Sequence, residues 1–185
     1  MKYLKPVCVL ILCFAGATCL SQNKPLSADA ILKTAYGRAQ KENKHVFVIF
    51  HASWCGWCRK MDSSMNDKCC KAFFDSNYIT CHLTVDESKE KQDLENPGAR
   101  KFRKKYHGEE AGLPFWLIFD QQGQLLADSK MRPADAGFEA PGDNAGCPSA
   151  KVELAYFIRV LEKTSRLGAG ELAIIAKRFS QNAAQ

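Results

Sequence analysis

HVFVIFHASWCGWCRKM, residues 45–61, runs from an apolar segment straight into two cysteines separated by two residues. His45 to Phe50 is compact, rich in β-branched and aromatic side chains, and apolar without alternation, as expected of a central strand covered on both faces. His51-Ala52-Ser53 ends that run, and the residues after the cysteines, through Arg59, Lys60 and Met65, are predicted to form a helix. The cysteine pair therefore falls at a strand-to-helix junction, where the first-turn N–H groups of the helix lack intrahelical partners. Those donors favour a thiolate over a thiol. A first cysteine so placed has a pKa of roughly 3.5 to 7.5, against about 8.5 for a free thiol. Cys55 could then attack a disulfide, and Cys58, one turn later, could attack Cys55 and close a small ring.

Hydrophobic spacing organises the rest of the chain. Ser27 is a candidate N-cap for a helix to Asn43, with Leu32, Ala35, Tyr36 and Ala39 on one face. Tyr78 to Val85 reads as a second strand ending at Asp86. A charged segment broken by Asn96-Pro97-Gly98 restarts as a helix near Ala99 and stops near His107-Gly108. Leu113-Pro114 precedes a strand at Phe115 to Phe119, and the turn Asp120 to Gly123 joins it to Gln124 to Ala127 as a hairpin. Arg132 to Pro148 holds three Pro and three Gly without periodicity and is predicted to be a loop. Two amphipathic helices follow, one on Leu154, Phe157, Ile158 and Leu161, the other on Leu172, Ile175, Ala176 and Phe179. The predicted order is α, β, α, β, α, β, β, α, α.

The start of the chain has the layout of a secretory leader. Lys2 and Lys5 precede an apolar run from Val7 to Leu20, which polar Ser21-Gln22-Asn23 follows. That run is shorter than the roughly 20 residues a membrane-spanning helix needs. Cleavage after Ala17 or after Ser21 fits the pattern, while lipidation at Cys19 is disfavoured by the preceding Gly16-Ala17-Thr18. The expected division is a signal peptide at 1–21 and a single domain at 22–185, exported to the periplasm without stable membrane insertion. With the leader set aside, 24 basic residues stand against 20 acidic ones. So small an excess, at helical spacing in ARKFRKKYH and AKRF, describes a solvated face and gives no reason to expect a nucleic-acid partner.

Nine cysteines occur, three of them in the leader. Cys69 and Cys70 are adjacent, Cys81 lies in a predicted strand and Cys147 in the predicted loop. A structural zinc site would need a second spaced pair beside Cys55 and Cys58, and none exists, so no metal is expected. Cys69 and Cys70 are placed near the end of the helix that starts at the cysteine motif, as one buried and one partly exposed free thiol. Cys81 is expected to be buried and inert. Cys147 could pair with Cys69 or Cys70 in an oxidising compartment.

FVIFHASWCGWCRKM, the strand end LTVDES and then GLPFWLIFDQQGQ, spread over about Lys41 to Ala127, closely resemble the thioredoxin superfamily, and within it the exported branch carrying WCxWC. The resemblance implies an α/β fold with a central mixed β-sheet flanked by helices and an extra C-terminal helix. It also implies a thiol-disulfide oxidoreductase with no cofactor, using Cys55 and Cys58 as catalytic residues and redox-active disulfide. Pro114 would be cis, presenting the backbone of Leu113 to an extended substrate. Trp54 would form an apolar lip and Trp57 an exposed docking surface, so that Trp54, Gly56, Trp57, Leu113 and Pro114 together contact the substrate. Phe115 and Trp116 are expected in the core. This chain has Ile49 where thioredoxins bury an aspartate, and His82 where they carry its lysine partner. His51 and His82 are the candidate replacement proton acceptors. Disulfide-containing or dithiol proteins are the expected substrates, and a membrane electron donor the expected source of electrons for reduction. Two alternatives stand beside this. One is a binding or chaperone-like module with structural cysteines, and the other a specialist in peroxide or heme-maturation chemistry.

Overall fold

The structure, a computed structural model, describes residues 24–133 and 135–184. The expected leader, with its cleavage sites and Cys19, lies outside the described residues. Helix α1 (Ala28–Glu42) starts where the Ser27 side chain accepts a hydrogen bond from the Ala30 N–H at 3.2 Å. It stops at Asn43, which adopts the left-handed conformation at φ 50°, tolerable for Asn because its short polar side chain can bond locally.

Strand β1 (His45–His51) is flanked by β2 (Tyr78–Thr84) and β3 (Phe115–Phe119), and β4 (Leu125–Asp128) forms the far edge. The order is β2-β1-β3-β4. β1 runs parallel to β2 and antiparallel to β3, and β4 is antiparallel to β3. Because side chains alternate along a strand, β1 divides its apolar run between two layers. Phe47 and Ile49 enter one layer with Trp116 and Ile118, while Val46, Val48 and Phe50 enter the other with Phe115, Leu117 and Phe119. Burying each such side chain contributes about 1.5–3 kcal/mol relative to leaving it in water. This is why β1 and β3 are apolar at every position within the sheet.

The first layer is covered by α2 (Gly56–Met65), α3 (Lys71–Asn77), α5 (Lys151–Thr164) and α6 (Ala169–Ser180). They supply Met61, Met65, Phe74, Phe157, Leu161, Ile175 and Phe179. The second layer is covered by α1 and α4 (Ala99–Lys105), through Leu32, Ala35, Ala39 and Ala99. The sheet is thus mixed and flanked by helices on both faces, with the last helices packed on the side that carries the cysteine motif. Among the described residues, no helix is long and apolar enough to cross a membrane.

The structure differs from the sequence pattern at three places. The helix after the cysteines does not continue to Cys69 and Cys70 but ends at Met65. Asn66 caps it, its side chain donating to the Asp62 carbonyl at 2.9 Å, and Asp67 then accepts from the Cys69 N–H at 3.2 Å. Side chains that bond their own neighbourhood compete with the helix ladder, so Cys70 instead caps the separate helix α3. A 3-10 helix, Lys89–Leu94, precedes Asn96-Pro97-Gly98, and another, Gln181–Ala184, follows α6. Finally, the segment from Arg132 to Pro148 is not all loop, since β6 (Asp143–Asn144) pairs with β5 (Lys130–Met131). Gly142 permits that approach, because a Cβ there would collide with the Met131 carbonyl.

Candidate active site

Cys55 is the N-cap residue of α2, in extended conformation at φ −74° and ψ 100°, and its sulfur accepts from the Cys58 N–H at 3.1 Å. The sulfur therefore occupies the place that a Ser or Asp oxygen takes in an ordinary cap. Cys55 and Cys58 are joined as a disulfide. Their immediate neighbours are Ala52 and, leaning over from the loop before β3, Leu113. Both cysteines are only 2% exposed, a much tighter enclosure than the sequence implied.

The segment before Cys55 is pinned by a carboxylate that the sequence reading did not single out. Glu87, itself buried, accepts from the Ser53 N–H at 2.6 Å and from the Ser53 hydroxyl at 2.7 Å. The Ser53 carbonyl accepts from the Arg59 guanidinium at 2.9 Å. Trp54 lies on the surface, 58% exposed, with its indole N–H donated to the Asp86 carbonyl at 2.7 Å. Asp86 is held at φ 54°, and its carboxylate pairs with Arg103 at 2.7 Å. The only signal for Glu87 in the sequence was an acid directly following a strand end, which cannot be told from a solvated loop residue.

Trp57 is 45% exposed and borders two depressions. One, of about 220 Å³, also touches Leu113, Pro114, Asn144 and Cys147. The other, of about 560 Å³, opens toward α6. Gly56, next to the first cysteine, is exposed and lines the larger of the two. The Leu113-Pro114 peptide is cis, and the Pro114 carbonyl accepts from the Asn144 side chain at 3.0 Å. Among the described residues, the backbone of Leu113 makes no hydrogen bond. That leaves a donor and an acceptor open beside the disulfide, where an extended chain could pair. Phe115 and Trp116 are fully buried.

Ile49 lies in β1 opposite His82 of β2. The Nε2 of His82 bonds Asp62 Oδ1 at 2.8 Å, and the His51 and His82 rings meet edge to face with centroids 5.2 Å apart. His51 Nε2 lies 3.2 Å from the Thr84 hydroxyl. Asp62 sits four residues after Cys58, one turn along the same face of α2. That spacing is the signal by which the sequence could have shown it. Among the described residues, neither histidine hydrogen-bonds a sulfur in this oxidised form. Burial lowers the His51 pKa from its usual 6.5, with the nearby His82 adding to the effect. A folded-state value below the unfolded one means that the unfolded chain binds more protons as pH falls, so this contribution to stability is full above about pH 6.5 and is lost on acidification. His51→Gln is expected to flatten the fall in urea midpoint between pH 7.5 and 5.5. An unchanged slope would remove His51 as its source.

The remaining cysteines are free. Cys69 is exposed and Cys70 buried, with sulfurs 3.5 Å apart. Burial pushes the Cys70 thiol up to about 12, and does the same for Cys81 and Cys147. Cys147 pairs with neither Cys69 nor Cys70; its sulfur accepts from Asn182 at 3.4 Å. Among the described residues, no group of three or more His, Cys, Asp or Glu is placed to hold a metal ion.

A family model describing thioredoxin-like proteins matches residues 28–121, half of the chain. The chain belongs to the thioredoxin-like family. No curated protein matches it. Among solved structures, a disulphide isomerase from Xylella fastidiosa Temecula1 is similar at 18% identity, covering 60% of this chain and 80% of that one, with a TM-score of 0.47. The oxidised C-terminal domain of DsbD from Neisseria meningitidis is 18% identical, over 76% and 98% of the two chains, with a TM-score of 0.43. A thioredoxin from Thermus thermophilus is 12% identical over 75% and 85%, also at 0.43. The family and the closed Cys55-Cys58 pair at a helix N-terminus support a thiol-disulfide oxidoreductase.

Proposed function

We propose that this protein is an exported, single-domain thiol-disulfide oxidoreductase spanning residues 22–185, which reduces disulfides in protein substrates outside the cytoplasm. The observation that carries the reading is the cap at α2, where a backbone N–H points at the Cys55 sulfur at 3.1 Å. After reduction the same donor and the helix dipole favour the Cys55 thiolate. That thiolate attacks one sulfur of the substrate disulfide, whose other sulfur leaves and takes up a proton. The substrate backbone pairs meanwhile with the open backbone of Leu113, between Trp54 and Trp57. Cys58 gives up its proton and attacks the Cys55 sulfur, expelling the second substrate thiol and restoring the Cys55-Cys58 disulfide. Two electrons have passed to the substrate, and a membrane electron donor returns them to the protein. His82, held by Asp62 on the Cys58 face of α2, with His51 against it, is assigned as the acceptor of the Cys58 proton in place of the acid that Ile49 replaces.

Equilibration of the Cys55-Cys58 couple with glutathione or dithiothreitol buffers tests this. A reductase is expected near roughly −270 mV, whereas a value near roughly −120 mV would make the protein an oxidant. One observation favours a second reading, a binding or chaperone-like module with structural cysteines: the 2% exposure of both sulfurs. Failure to find any reversible two-electron couple decides for that module.

A further inference from the structure

The larger depression beside Trp57 is lined by Trp57, Arg59, Lys60, Ser63, Arg178 and Asn182. Three of these side chains are cations and none is an acid. Lys60 holds its ammonium 4.5 Å above the Trp57 ring and donates to the Asn182 carbonyl at 3.1 Å. The guanidinium of Arg178 is fixed by Asp67 at 2.7 Å, the acid nearest to it, and bonds the Asn182 side chain at 3.4 Å. Arg178 and Asn182 come from α6 and the turn after it, beyond the residues that match the family model. The C-terminal segment thus adds a cationic wall to a groove whose other wall is α2, and the groove begins at the two residues between the cysteines.

From this charge pattern we propose that the groove selects polypeptide substrates carrying acidic side chains beside their reactive cysteine. The inference rests on the oxidoreductase reading and gives it a substrate class. Once a substrate cysteine is bonded to Cys55, its neighbours in an extended chain follow at about 3.3–3.6 Å per residue and are brought over the groove. A carboxylate there meets Arg59, Lys60 and Arg178, while the Trp57 face packs against its stem. Opposite charge on the two surfaces also speeds encounter, and salt screens that gain.

The test is competitive capture by Cys58→Ala, which holds the mixed disulfide. Two activated peptide disulfides are offered together, one with Asp on both sides of the cysteine and one with Asn at the same positions. At low salt the acidic peptide is expected to be captured at least about tenfold faster, with the ratio falling toward one at high salt. Lys60→Gln and, separately, Arg178→Gln should each lower the ratio while leaving capture of the Asn peptide unchanged, and thermal melting confirms that each variant is folded. Equal capture of both peptides by Cys58→Ala would overturn the inference and leave the oxidoreductase standing. Capture of neither would bring down both.

Discussion

Replacing Cys55 by Ala is expected to abolish disulfide reduction, lowering the rate in an insulin precipitation assay by roughly three orders of magnitude or more, to the level without protein. Replacing Cys58 by Ala is expected to stop turnover as well, but by a different route. The nucleophile and its helix N-terminus remain, so substrate is attacked and then held, and mass spectrometry should find the mixed disulfide on Cys55. The contrast between the two variants is the informative part, because simple damage to the fold would lower both activities without producing an adduct. The exposed thiol of Cys69 is the competitor. Adducts that persist in Cys55→Ala and map to Cys69 would show that the chemistry had been placed on the wrong pair.

The second large effect is expected at Trp116. Its side chain is fully buried and meets Phe47 and Phe157 edge to face at centroid separations of 5.6 Å. Its indole N–H donates to the Gly146 carbonyl at 2.9 Å. Truncation opens a cavity beneath the sheet and leaves a buried carbonyl without its donor, two losses that act in the same direction. Trp116→Ala is expected to cost about 3–5 kcal/mol, or roughly 6–20 °C in melting temperature for a domain of this size. Equilibrium urea unfolding measures it directly. A loss below about 1 kcal/mol would mean that the α5 and α6 side of the sheet is not packed as described.

These two residues also show how much the sequence made legible. Cys55, Cys58 and the strands around them were readable because β1 and β3 are buried on both faces, so their composition is dictated by the core at every position. The helix starting at Ser27 was readable because its cap and apolar face agree. The break after Met65 was not, since Asn66 and Asp67 can be tolerated in a helix and only their local bonds, to Asp62 and from Cys69, show that they end one. The strand at Asp143–Asn144 was hidden for a related reason. It is two residues long and held by pairing with Lys130–Met131, a contact without periodicity. Glu87 and Asp62 were missed because an acid that positions another group has the same sequence signature as one that faces water. The enclosure of the disulfide was invisible for the same reason as the cationic groove, since both depend on parts of the chain far from residues 55–58.

The near-complete covering of the two sulfurs by Ala52 and Leu113 bears on which molecules can react. A small free thiol offers nothing to displace the leucine and must wait for the loop to shift unaided. A polypeptide can engage the unpaired backbone of Leu113 as it arrives, so that recognition itself uncovers the bond to be exchanged. The oxidised protein is thereby insulated from the bulk thiol pool and stays available to partners with a main chain to offer.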